Sequence, residues 1–432
     1  MEILEAKRKI KNIVISAVFV TPLVIVPVSI NSDYFYEPKL YILLLFAILF
    51  LLLLLNFRKN IDEIIQFDKI NLSLFVYFLL LCVSIFFAID KTIAIQGRIF
   101  RDEGLITLII YMILFLAARI AKKFDSKNFN LILISAFIVS FYGILQYYRI
   151  DPIPRDYIRS TWGWPISFST IGNPNFLSSY LVLMIPISVH SYIIEKNKFA
   201  LLVFCTLYTC LLCTMTRGGW IGSFISICVY LFLIYKYRNK YPGIYKRVFQ
   251  LLLLSVIIFY LFYHFSNNRL AVRIDSLTIN SLKVASSVNS IRLFIWVRVL
   301  ELIKMKPWFG YGIENLLTPF MSYFSSDIEN LLKLNIVVDK AHNEYLNIAV
   351  SSGIPSLIAY LSFVSLCLKT GIIRLKENPI YLALFASVIG YLIQATFNIS
   401  VVSVAYVFWI FLGLLVGDSA KKTKKLVISR DV

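Results

Sequence analysis

Charged residues are scarce in this chain. Only 16% of its 432 positions are Asp, Glu, Lys or Arg, whereas 59% are hydrophobic and the mean hydropathy is +0.78. A soluble domain carries about a quarter charged residues, so an ordinary soluble enzyme is excluded. There is no Gly-rich P-loop, no Asp-x-Asp pair that would hold a metal and a nucleotide sugar, and no His-rich or Cys/His cluster at ligand spacing among the three histidines and six cysteines. Metal catalysis is therefore not expected, and no cofactor is implied. The cysteines, Cys82, Cys205, Cys210, Cys213, Cys228 and Cys367, all fall in apolar runs, where Cys210 and Cys213 read as small packing residues and not as a redox pair. The runs also hold almost no ionisable groups near their centres, which ion-coupled transport would need.

What the chain does have is long apolar runs. They lie near residues 13–30, 38–55, 70–89, 104–121, 129–148, 170–194, 199–216, 218–235, 248–265, 342–368, 379–397 and 401–417. At roughly 20 residues per crossing, twelve spans take about 240 residues, and no separate soluble domain of normal size remains. The fold class expected is an all-α polytopic membrane helical bundle of about twelve spans, with one large, partly helical external loop. Its organisation reads as spans one to nine over residues 1–265, the external loop over 266–341, and spans ten to twelve with a basic tail over 342–432. The first run follows Lys7, Arg8, Lys9 and Lys11, contains Pro22 and Pro27, and has no small-residue cleavage site behind it, so it reads as an anchored span with a cytoplasmic N-terminus.

The net charge of +19 would suggest nucleic acid in a soluble protein, but in a membrane protein Lys and Arg first set topology. Threading twelve spans puts most of them inside, including Lys236, Arg238, Lys240 and the cluster from Lys421 to Lys425, and the C-terminus comes out cytoplasmic. Eleven spans would put that cluster outside, against the rule. The positive residues left outside gather in three places: Arg98 and Arg101; Arg149, Arg155 and Arg159; and the 266–341 stretch with Arg269, Arg273, Arg292 and Arg298. Arg217 stands alone in "CTMTRGGWIGS", at the outer face between two spans. An ordinary hairpin arginine is the bland reading; a cation facing a cavity that binds an anion is favoured, because its position opposes the topological bias.

Within the loop, "NSIRLFIWVRVLELIKMKPWFGYG" predicts a helix from about Ser290 to Met305, stopped by Pro307, Gly310 and Gly312. At 100° per residue, Arg298, Glu301 and Lys304 share a polar face, and Arg292 falls nearly opposite. Arg298 then reads as a solvated residue beside Glu301. Arg292 points into the apolar side and needs an anionic partner, and the helix reads as part of a lid lying on the membrane surface. His190 and His264 read as interfacial side chains near span ends. His342, in "DKAHNEYLNIAVSSGIPS", is different: it starts an outward-facing helix that Asp339 could cap, whose dipole would keep the imidazole neutral and able to accept a proton. A lone histidine is more often structural than catalytic, and that prior weighs against the reading. Glu344, two residues on, is a second candidate base.

Taken in order, "IGNPNFLSSYL" from Ile171, "TRGGWIG" from Thr216, "NSIRLFIW" from Asn289, "PWFGYGIEN" from Pro307 and "AHNEYLNIAVSSG" from Ala341 make a pattern that resembles the O-antigen ligase and O-antigen polymerase family of bacterial envelope glycosyltransferases. The resemblance covers most of the chain and is strongest from about Leu201 to Leu361. It implies a metal-independent enzyme of the bacterial inner membrane, active in lipopolysaccharide or other envelope polysaccharide biosynthesis. Such an enzyme takes a glycan from undecaprenyl pyrophosphate and joins it to an acceptor hydroxyl on lipid A core, a glycan or a protein. Carried over by matching segment, Arg217 and Arg292 become the pyrophosphate clamps and His342 the general base. Asn173 and Asn175 become polar contacts, and Arg101 in "QGRIFRDEG" a candidate for the same anionic site. Direct displacement would invert the anomeric carbon, and no residue stands out as a covalent nucleophile. A polymerase that joins lipid-linked repeats would need the same residues. A lipid-linked sugar transporter would instead need polar residues through the bundle centre and internal symmetry, and a non-catalytic assembly factor would need neither Arg217 nor His342.

Overall fold

A computed structural model describes residues 2–26, 34–57, 68–121, 123–151, 166–241, 243–266, 288–324 and 337–417. Pro27, Arg155, Arg159, Arg269, Arg273 and the Lys421 to Lys425 cluster lie outside the described residues. Among the described residues there are sixteen α-helices and no strand, so the all-α membrane bundle expected from composition is what is found. In chain order they are α1 (Glu2–Val20), α2 (Glu37–Asn56), α3 (Lys69–Phe86), α4 (Lys91–Gln96), α5 (Leu105–Ile120), α6 (Ser126–Tyr147), α7 (Pro174–Ile193) and α8 (Lys198–Cys213). There follow α9 (Arg217–Lys236), α10 (Ile244–Phe265), α11 (Val288–Met305), α12 (Leu317–Tyr323), α13 (Glu344–Ser352), α14 (Ile354–Arg374), α15 (Ile380–Ala395) and α16 (Ala405–Val416). Seven of these, α2, α3, α6, α7, α9, α10 and α14, are long and apolar enough to cross a bilayer, and α5, α8, α15 and α16 are shorter apolar helices.

The bundle is organised around two helices. Every residue of α7 apart from Asn175 is buried, and α16 is buried along its whole length; α7 packs against α6, α8, α9 and α15, while α16 packs against α5, α14 and α15. Outer helices show the opposite pattern: α2 turns Leu45, Leu49, Leu52 and Leu55 outward, as a hydrocarbon solvent permits. Helix ends are closed by side chains. Asp68 accepts the backbone N–H groups of Ile70 and Asn71 at 3.1 and 3.0 Å, and Asp125 and Asn128 form a capping box at the start of α6. Arg119, at the end of α5, also reaches Asp68, donating from Nη1 at 3.0 Å, and so ties α5 to α3.

Three sequence expectations shift. The first helix begins at Glu2 and ends at Val20, so its basic residues lie inside it and Pro22 opens a short 3-10 turn, Thr21–Leu23. The apolar run 342–368 is two helices, broken at Gly353, whose φ of +92° L side chains rarely adopt. His190 is not interfacial: it is buried, with Nδ1 3.2 Å from the Tyr230 hydroxyl. His264 is exposed, its ring 4.4 Å from that of Tyr260.

The orientation expected from charge is checked by labelling. In a cysteine-free background, Thr318→Cys on α12 is expected to react with an impermeant thiol reagent in intact cells, and Tyr245→Cys at the start of α10 only after permeabilisation. Both positions are exposed and neither changes a charge. The reverse pattern would overturn the orientation and with it the side on which every candidate site residue lies.

Candidate functional site

The site is assembled from four stretches that sequence distance keeps apart. The first is the turn 97–104. Gly97, at φ +98°, and Gly104 meet so closely that a β-carbon on Gly104 would strike the Gly97 backbone, and this pinch projects Arg98, Arg101 and Glu103 from one short loop. The second is α11, which runs close to the expected bounds. Its exposed face carries Leu293, Val297 and Leu300, and its inner face buries Ile295, Val299 and Leu302. Arg292 falls on the inner side with them, as the helical phase predicted. Arg298 is a correction: it does pair with Glu301 at 3.0 Å, but its guanidinium lies over the rings of Phe294 and Phe324 and is half-buried, not solvated.

The third stretch is "PWFGYGIEN", which docks into the break between α13 and α14. Tyr311 N–H donates to Val350 O at 2.9 Å, Gly312 N–H to Ser351 O at 2.8 Å, and Ile354 N–H to Pro307 O at 2.8 Å. A β-carbon on Gly310 would come 2.5 Å from the Ser351 backbone, so the approach is available only to glycine. Asn315 then accepts from Asp90 N–H at 2.9 Å and donates to Asp90 O at 3.0 Å. The motif is thus a strut that joins the chain after α3 to the break between α13 and α14, and through Glu314 to the fourth stretch, residues 337–344.

That fourth stretch carries His342 and is tied down residue by residue. Asp339 takes Arg101 Nε at 2.8 Å, and Lys340 forms a buried ion pair with Glu314. The Ala341 N–H donates to Asn347 Oδ1 at 3.3 Å and its carbonyl accepts Trp296 Nε1 from α11 at 3.0 Å. His342 follows with φ +49°, a left-handed conformation that a non-glycine residue keeps only where its surroundings impose it. The expected cap is corrected: Asn343, not Asp339, accepts the Leu346 N–H at 3.1 Å, and the helix starts at Glu344. His342 therefore precedes the helix. Its pKa is held down at about 4, first by burial and then by the Arg292 guanidinium, with Asp339 opposing and Arg101 and Lys340 adding to the depression. Neutrality was expected from a helix dipole; burial and neighbouring cations produce it.

Arg292, Arg101 and His342 are thus brought into one electrostatic neighbourhood. Arg217 is not among the charges that act on His342; its helix start packs toward α11 through one ring. It is the first residue of α9, and the β-carbon of Phe397 would lie 3.0 Å from one added to Gly218, while the Phe397 ring faces Trp296 with centroids 6.5 Å apart. Asn173 spends its side-chain oxygen on the α7 cap, accepting Asn175 N–H at 2.8 Å. The Asn175 carbonyl takes Asn398 Nδ2 at 3.1 Å, and a β-carbon on Gly219, two residues after Arg217, would lie 2.5 Å from Ser178 of α7. Glu344 is buried, its oxygens accept the hydroxyls of Tyr360 at 3.1 Å and Tyr391 at 3.5 Å, burial pushes its pKa up to about 7, and its charge acts on Lys340.

Sequence reasoning missed Glu103, Glu314 and Lys340. Burial raises the Glu103 carboxyl, which accepts the Tyr111 hydroxyl and lies within the field of Lys340. Arg98 was counted only as an outside positive, yet its Nε is buried with no hydrogen-bond partner among the described residues and it adds to the positive field at Lys340. The available signal was adjacency, since Glu103 and Arg98 share a motif with Arg101, and Lys340 stands two residues before His342. Cations outnumber acids here, and the arrangement suits a doubly charged anion beside a neutral base.

No curated protein matches this chain. The stretch that carries Arg217, Arg292, His342 and Glu344, residues 200–361, matches the family model described as O-antigen ligase, so over these residues the chain is similar to that family.

Proposed function

We propose that the chain is a metal-independent, inverting glycosyltransferase that moves a glycan from undecaprenyl pyrophosphate to an acceptor hydroxyl at the outer face of a bacterial cytoplasmic membrane. The observation that carries this reading is a neutral His342 set beside Arg292 and Arg101, with Arg217 at the neighbouring helix start. In the reaction the imidazole accepts the proton of the acceptor hydroxyl as that oxygen attacks the anomeric carbon. The bond from that carbon to the pyrophosphate oxygen breaks, its electron pair stays on the leaving group, and the guanidiniums take up the charge that develops there. The arginines supply the stabilisation that a divalent cation supplies elsewhere, and attack opposite the leaving group inverts the configuration.

Purified protein in bilayer discs, given a polyprenyl-diphosphate-linked glycan and a lipid A core acceptor, is expected to form the glycoside with inverted anomeric configuration by NMR, at a rate unchanged by EDTA. Retention of configuration, or loss of activity with the chelator restored by added metal, would sink the mechanism. Transfer only onto a second lipid-linked glycan would make the chain a polymerase.

A further inference from the structure

The backbone around His342 carries unusual dihedral angles. Of the eight described non-glycine residues at positive φ, four lie in the stretches that meet here: Phe100 at +67° and Asp102 at +54° in the first, Glu314 at +61° in the third and His342 at +49° in the fourth. Such residues persist only where their surroundings impose them. Two of the four are linked by one bond, because Lys340, two residues before His342, makes its ion pair with Glu314. Both side chains of that pair are almost wholly enclosed, 3% and 2% exposed, whereas Arg101 and Asp339 beside it are 22% and 17% exposed. Water weakens the second pair more than the first.

The Glu314 end of this bond is a fixed point. Gly312 before it donates to Ser351 O, and Asn315 after it holds Asp90 through both side-chain atoms and donates from Nδ2 to Ile313 O at 2.8 Å. The Lys340 end is where the charges of the site converge, with Glu103, Arg101, Arg98 and Glu344 all acting on it. A buried ion pair adds little stability over an apolar pair of the same volume, so stability alone does not account for this one. A directional bond between a fixed motif and a strained segment does what an apolar contact does not: it selects one placement for the residues that follow. We propose that Lys340 and Glu314 are positioning residues for the base, their bond setting the left-handed turn that aims the His342 imidazole at the acceptor hydroxyl. Neither touches substrate. The assignment rests on the role proposed above for His342.

Turnover and donor binding by the full-length protein in bilayer discs test this, with a polyprenyl-diphosphate-linked glycan as donor and lipid A core as acceptor. The variant is Lys340→Met with Glu314→Met, because removing both charges leaves neither buried alone. It is expected to keep the wild-type thermal transition, donor Kd and donor KM while kcat falls on the order of 10²-fold, the cost of a reacting group displaced by about 1 Å. In a His342→Ala background the same two substitutions should lower kcat no further, since positioning has no effect once the positioned group is gone. Wild-type kcat in the folded variant would overturn the proposal. An equal loss in the His342→Ala background would overturn it too, by showing that the pair acts through the fold and not through the base, as would a rise in donor Kd with kcat unchanged. Lys340→Met alone, whose remaining Glu314 carboxyl can take up a proton, is put through the same cycle, so either folded variant decides. Failure of the base reading is separable: wild-type turnover by His342→Ala removes the base, whereas loss there with wild-type turnover in the pair variant removes only the positioning.

Discussion

Replacing His342 with Ala is expected to lower turnover by about 10² to 10⁴-fold in membranes that hold both donor and acceptor, while donor binding persists. The expectation rests on separation of roles. The guanidiniums near His342 remain in place when the imidazole is removed, so the pyrophosphate keeps its partners, and only removal of the acceptor's proton is lost. The pH profile carries an independent signature. His342 is held at about 4, below the ordinary histidine value, and protonation abolishes its capacity to accept a proton. The rate should therefore stay level down to about pH 5 and fall below that as the imidazole becomes charged. Glu344 is the competitor. It is buried between Tyr360 and Tyr391 and is pushed up to about 7 by that burial, so Glu344→Ala should cost less turnover than His342→Ala. An inverted order of the two defects would transfer the role to Glu344. Loss of donor binding in His342→Ala would make the histidine a leaving-group contact.

The helices were legible because a bilayer leaves the chain little choice: any crossing must be a long apolar run with its backbone bonds closed internally. The loop helix was legible for a different reason, its 3.6-residue period and the stop at Pro307, and the same period placed Arg292 on the inner side. Hydrophobicity failed at both ends of its own logic. It started α1 too late, because Glu, Lys and Arg are good helix formers and prolong the helix beyond the apolar run. It ran α13 and α14 together, because apolarity does not drop at Gly353; only the docking of "PWFGYG" against that glycine reveals the break. Charge pairing was legible only where it is local, as for Arg298 and Glu301; long-range pairing was not. Asp339 finds Arg101 across 238 positions and Lys340 finds Glu314 across 26, and no spacing rule links such residues. Asp339 was consequently assigned to a cap that Asn343 makes. His342 itself was legible as a residue type in a motif, but the source of its neutrality lay in tertiary neighbours.

Arginine at 217 and 292 is expected to be irreplaceable even by lysine. Arg217→Ala and Arg292→Ala should each lose on the order of 10² in kcat/KM, the scale of a transition-state charge contact removed from an enclosed site. Lysine keeps the charge but replaces a planar five-donor fork with a point ammonium, so Arg217→Lys and Arg292→Lys should fall nearly as far as the alanine variants. The two positions are distinguishable. Arg292 is among the groups that hold the His342 pKa down, and Arg217 is not. Removing the Arg292 charge should let His342 take a proton more readily, raising its pKa and moving the acid limb of the rate profile to higher pH, whereas Arg217→Ala should lower the rate without moving that limb. Each variant is first shown to be folded by its thermal transition in detergent. Glycan transfer at the wild-type rate by both folded alanine variants would remove the clamp from the mechanism. An unmoved acid limb in Arg292→Ala would separate that arginine from the base and leave burial alone to keep the imidazole neutral.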